Sequence, residues 1–121
     1  VTQASTGAVR ALGAARLAVG IALLAAPRLV GRNDDPSFQL LMRTIGVRDL
    51  VIGAGTVLAP GASAVHWGRS ALASDSLDMV VGAASVPTVG AGGGAVATLA
   101  PVPFVAVGWW ALRRATRPAA G

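Results

Sequence analysis

The stretch Arg43-Thr44-Ile45-Gly46-Val47-Arg48-Asp49-Leu50-Val51-Ile52-Gly53 sets two arginines and an aspartate into a run that is otherwise apolar or small. Asp35-Pro36 ahead of it reads as the N-cap and first position of a helix. Pro60-Gly61 ends that helix, so the segment runs from Pro36 to about Ala59. At about 1.5 Å per residue, a helix of this length crosses a hydrocarbon layer of about 30 Å. A charge at the centre of such a span costs roughly 2.5–3.5 kcal/mol on insertion scales. Three of them are tolerable only where other helices bring partners, which makes this helix one member of a bundle.

The remainder of the chain supplies those helices. Of 121 residues, 54% are hydrophobic and 12% charged, about half the charged share of an ordinary soluble domain. Lys, Glu and Tyr are absent, so every fixed cation is Arg and every acid is Asp. So few charges would not solvate the surface around one small core. The sequence therefore predicts a single all-α transmembrane domain over 1–121, a four-helix bundle integral to a bacterial plasma membrane. The expected spans are about 8–26, stopped by Pro27; 36–59; 64–86, stopped before Pro87; and 95–114. Arg10 and Arg16 ahead of the apolar run from Leu17 to Ala26 could open a signal peptide, but a retained first helix is the expectation. Pro101 and Pro103 predict a kink in the fourth span, or a helix starting near Pro101 after an irregular lead-in. Val89 to Gly94 is expected as a loose loop.

Four spans place both termini and the middle loop on one side. That side carries Arg10, Arg69, Arg113, Arg114 and Arg117, against Arg28 and Arg32 on the other, so the positive-inside rule places both termini in the cytoplasm. Trp67, Trp109 and Trp110 fit the aromatic belt of that face.

Away from the ends of the expected spans, six charges lie where lipid should be: Arg16, Arg43, Arg48, Asp49, Asp75 and Asp78. Arg16 is 11 residues before Pro27; Arg43, Arg48 and Asp49 are 7, 12 and 13 after Pro36; Asp75 and Asp78 are 12 and 9 before Pro87. All six therefore fall near one depth. On the helical wheel Gly13, Arg16 and Gly20 share a face, as do Arg43, Gly46, Asp49 and Gly53, and Ala71, Asp75, Asp78 and Gly82. Small residues let membrane helices approach closely. Arg16 and Arg43 are thus expected to meet Asp49, Asp75 and Asp78 in a buried network. Arg48 points off the shared stripe and should be covered by the fourth span, by another protein or by water. The network reads either as a clamp that fixes helix register or as a proton, ion or head-group site.

Several chemistries find no residues. Without cysteine there are no disulfides, thiolate zinc sites or thiol nucleophiles. His66 alone cannot build a histidine metal site, and Ser70, Ser74 and Ser76 lack a base. The basic residues are scattered through apolar segments, unlike the continuous basic face of a nucleic-acid binder. Gly90-Ala91-Gly92-Gly93-Gly94-Ala95 loosely fits a dinucleotide fingerprint, but no acid follows Asp78. No catalytic residue, metal or cofactor is expected.

The stretch from Arg43 to Gly53, together with Asp75-Ser76-Leu77-Asp78, resembles a family of short four-helix actinobacterial membrane proteins of unknown function. That resemblance spans nearly the whole chain and implies fold and setting, with no chemistry to carry over. Small multidrug transporters also have four short spans, but they need a Glu in the first helix, where this chain carries Arg16. The leading expectation is a non-enzymatic accessory or stabilising subunit of a larger membrane complex, with a lipid importer as one host. The alternative is a small transporter or proton-coupled carrier that uses the charge cluster. A lipid-modifying membrane enzyme would lack both nucleophile and metal.

Overall fold

A computed structural model describes residues 3–27 and 35–117. Five helices make up nearly all of them: α1 (Gln3–Ala25), α2 (Pro36–Leu58), α3 (Ser63–Ala84), α4 (Val86–Leu99) and α5 (Val102–Thr116). No strand occurs among the described residues, so the fold class is all-α. Arg28, Arg32 and Asp34 lie outside the described residues.

The closest packing joins α1 to α2, and glycine makes it possible. A Cβ on Gly20 would stand 2.6 Å from the Leu50 amide nitrogen and 2.8 Å from the Gly46 carbonyl oxygen. One on Gly53 would stand 2.7 Å from the Leu17 nitrogen and 2.8 Å from the Gly13 carbonyl oxygen. Gly20 thus faces Gly46, and Gly13 faces Gly53. The pairing is antiparallel, with two glycines seven residues apart on each helix. A seven-residue repeat keeps one seam facing its partner along a left-handed supercoil. Here the seam is backbone against backbone, and the missing side chains let the dispersion contacts of the main chain form.

The other contacts follow from short connections. Pro60 and Gly61 turn the chain between α2 and α3: the Ser63 N–H donates to the Pro60 carbonyl at 3.1 Å, and Gly61 takes φ 48°. So tight a turn sets α3 antiparallel beside α2, where the Trp67 indole lies against Gly55. Gly68 of α3 touches Leu112 of α5, and Leu72 lies near Gly108. Both pairs are symmetric about residue 90, and Gly90 is where α4 leaves helical geometry, at φ 85° and ψ 167°. That backbone region is open essentially to Gly alone. Val9, Val65, Ala111, Leu112 and Ala115 close an apolar cluster at the end of the bundle that holds the N-terminal half of α1.

Two expectations are corrected by these elements. The stretch from Val89 to Gly94 is not a loop; apart from Gly90 it is helical within α4. Pro87 stands in the first turn of α4, where a missing N–H breaks no helical bond. The span expected at 95–114 is split between α4 and α5. Ala100 (φ −56°, ψ −40°) and Pro101 (φ −75°, ψ −12°) keep right-handed helical dihedrals, so the chain continues almost helically through the junction. The Val105 N–H still reaches the Pro101 carbonyl at 3.0 Å. What interrupts it is the pair of N–H groups that Pro101 and Pro103 lack. A helix does start beside Pro101, at Val102, but its lead-in is the helix α4 and not the irregular stretch expected with it.

Candidate functional site

The glycine seam brings Arg16 of α1 beside Asp49 of α2, and the same side chain crosses to α3. The Nη1 of Arg16 donates to Asp49 Oδ1 at 3.0 Å and to Asp75 Oδ1 at 3.1 Å, and its Nη2 donates to Asp75 Oδ2. The guanidinium fork is therefore bidentate on Asp75 and bridges to Asp49, a geometry that an ammonium could not reproduce. Its π-face is used as well: the Arg16 Cζ lies 4.7 Å from the centroid of the Phe104 ring on α5. One side chain thus ties together four helices. Arg16 is 2% exposed and Asp75 3%, so the group is sealed from the surroundings.

Arg48 extends the cluster sideways. Its Nη1 donates to both oxygens of Asp78, at 2.9 and 2.7 Å, and its Nη2 reaches Asp49 Oδ1 at 3.4 Å. Asp49 therefore sits between two arginines. This half is open: the Arg48 side chain is 32% exposed and that of Asp78 37%. The Arg48 Nε is buried and makes no hydrogen bond with any described residue.

Of the six charges singled out in the sequence, the structure brings together Arg16, Arg48, Asp49, Asp75 and Asp78. Arg43 is not among them. It is exposed and makes no ion pair with any described residue. The expected roles of Arg43 and Arg48 are thus exchanged. At about 100° per residue, Arg43 lies roughly 90° to one side of the face defined by Gly46, Asp49 and Gly53, and Arg48 roughly 130° to the other. Angular distance from the glycines does not decide the outcome. Helix α3, which carries Asp78, covers the flank of Arg48, and a long arginine side chain closes the remaining gap. The fourth span, one of the three covers expected for Arg48, goes instead to Arg16 through Phe104.

Two partners had a signal in the sequence but not a legible role. Phe104 reads as an ordinary packing residue, and only the α1–α5 register places it over Arg16. Arg10 reads as an orientation charge. Here its Nη1 and Nη2 donate to the Val57 and Ala59 carbonyls at 2.8 and 2.7 Å, which satisfies acceptors that the end of α2 leaves free.

The space beside the cluster is small. A cavity of about 10 Å³ touches Arg16, Asp75, Thr56 and Phe104, room for about one water molecule. Among the described residues no three His, Asp or Glu side chains are grouped to hold a metal ion. Comparisons with protein families, with curated proteins and with solved structures find no match to this chain.

Proposed function

We propose that this chain is a multi-pass membrane protein with both termini in the cytoplasm, and that it serves as a non-enzymatic accessory subunit of a larger membrane complex. Support for the membrane setting comes from an inverted distribution of polarity. Arg16, Asp49 and Asp75 are buried, while Leu40, Leu41, Leu58, Leu77, Val80 and Val96 are among the large apolar side chains left exposed. Water would penalise both halves of that arrangement, and lipid favours both. Helix α1 contains a segment, Thr6–Ala25, that is long and apolar enough to cross a membrane. Helices α2 and α3 have the length but carry charges, and those nearest their middles are paired with charges on neighbouring helices. Residues 91–116 form the kinked fourth crossing, about 39 Å long at 1.5 Å per residue. The ends of the helices that gather Arg10, Arg69, Arg113, Arg114 and Arg117 face the cytoplasm.

The subunit reading is carried by the Arg48–Asp78 pair. It lies near the middle of α2 and α3 on an outer face, with Val51 and Val81 exposed one turn further along each helix. A half-open ion pair at that depth is costly in lipid, and a partner helix bearing a hydrogen-bond acceptor for the Arg48 Nε would complete it. The carrier reading has less behind it: its carboxylates are engaged directly by arginine, and the adjoining cavity is water-sized. An actinobacterial lipid importer is the host to test first. Gentle detergent extraction from native membranes should give a stoichiometric complex, and a photo-crosslinker at Val51 or Val81 should capture the partner. Recovery of the chain only as a free monomer, with no crosslink at either position, overturns the proposal.

A further inference from the structure

Helix α5 ends in two stacked pairs. The Arg113 Cζ lies 5.6 Å from the Trp109 ring centroid, and the Arg114 Cζ lies 5.4 Å from that of Trp110. Each pair is spaced i, i+4, so both stack along the last turns of the helix. With Arg117 they line a groove of about 340 Å³. Both indoles are more than half exposed, at 57% and 52%. None of the three arginines forms an ion pair with a described residue, and the sequence has no acid after Asp78.

From this geometry we infer that the groove is a binding site for the headgroup of an anionic phospholipid, an inference that rests on the membrane reading above. Stacking on an indole occupies the face of a guanidinium and leaves its N–H donors free in the plane of the group. Two such planes, held in place by tryptophan, present forks suited to the non-bridging oxygens of a phosphodiester. Arg117 follows the helix in extended conformation (φ −65°, ψ 136°) and borders the same groove. The two exposed indoles select a lipid over a free anion, since an amphipathic ring rests where acyl chains meet headgroups. No carboxylate of the described residues neutralises the groove, which leaves its positive charge available to an anionic ligand.

The test uses the full chain reconstituted into vesicles containing brominated phosphatidylglycerol or brominated phosphatidylcholine, with tryptophan quenching as the signal. Phosphatidylglycerol should be preferred, on the order of fivefold for each arginine engaged. The Arg113→Gln/Arg114→Gln variant should lose that preference, and Arg69→Gln, which removes an equal kind of charge from the same end, should keep it. Arg113→Lys/Arg114→Lys keeps the charge but not the planar stack, and should lose most of the preference. Both exchanges fall on exposed side chains, and circular dichroism of each variant checks that the helices are retained. Equal quenching by both lipids overturns the headgroup site while leaving the membrane reading standing. Quenching by neither overturns both. A preference that inorganic phosphate competes away, or that Arg69→Gln reduces as strongly as the double variant does, also overturns it, because the groove would then hold a free anion or the selectivity would be diffuse charge.

Discussion

Arg16 and Arg48 sit at similar depth on neighbouring helices, and each engages two carboxylates. Their surroundings differ completely. Arg16 has a bidentate partner on α3, a second carboxylate on α2, an aromatic ring above it and almost no exposure. Arg48 has comparable ion pairs, but one third of its side chain is open and one buried nitrogen lacks an acceptor among the described residues. The described residues complete the first and leave the second incomplete. A cation enclosed on all sides fixes how helices meet. One left half open on an apolar face is where the proposed partner would meet them.

The largest expected effect lies on the sealed side. Removing one member of a buried pair leaves an uncompensated charge, at a cost of about 3–5 kcal/mol. Asp75→Asn should therefore sharply lower the folded yield in detergent, and Arg16→Gln should do at least as much, since it orphans Asp75 and leaves Asp49 only the longer contact to Arg48. The double variant Arg16→Gln/Asp75→Asn should recover part of the loss, because it replaces an orphaned charge with neutral polar groups. Normal yield in the Asp75 single would break the contrast between sealed and open halves. Full folding with lost activity, and no rescue by the second change, would turn the cluster into a working site.

A smaller effect separates two classes of glycine. Gly20→Ala drives a methyl group into main-chain atoms at 2.6 and 2.8 Å. Backbone has nowhere to retreat, so α1 and α2 must separate, at a cost of about 1–3 kcal/mol or more. Their separation would also lengthen the reach from Arg16 to Asp49. Gly92→Ala meets nothing within 4 Å and lies in helical backbone, where alanine should stabilise by roughly 0.5–1 kcal/mol. Thermal unfolding of both variants in detergent checks the pair. Equal shifts would mean that the glycine seam does not set the distance between the helices.

Much of this arrangement was legible because it rests on short-range rules. Asp35-Pro36 opens α2 and Pro60-Gly61 ends it, as their local conformational preferences dictate. Common depth along antiparallel helices places Arg16, Asp49 and Asp75 together without knowledge of the packing. The illegible part depended on which helix lay on which flank. A wheel shows the angle of Arg43 and of Arg48 but not that α3 stands beside only one of them. The glycine-rich stretch misled for another reason. Glycine weakens a helix in water, yet from Ala91 to Leu99 the chain is helical, and only Gly90 uses the freedom that glycine offers.

The smallest expected effect is on Arg43, and it sharpens the comparison from the side where nothing should happen. Arg43 and Arg48 are five residues apart on one helix, carry the same charge and lie on opposite flanks of the glycine face. If charge near that face were sufficient for a role in folding, Arg43→Gln and Arg48→Gln would behave alike. The structure separates them: Arg48 donates to Asp78 and Asp49, while Arg43 is exposed, makes no ion pair with a described residue and lies seven residues from the start of α2, within reach of the nearer end of the bundle. An arginine there can extend its stem along apolar surface and keep its head in a polar layer. Arg43→Gln should leave folded yield and thermal midpoint unchanged. Arg48→Gln should lower them modestly, since Asp78 is part-exposed and Asp49 retains Arg16, but it should markedly reduce recovery of the proposed larger complex. A loss of stability from Arg43→Gln equal to that from Arg48→Gln would show that the flank facing away from α3 is also occupied, and the division between the sealed and open sides of the cluster would have to be redrawn.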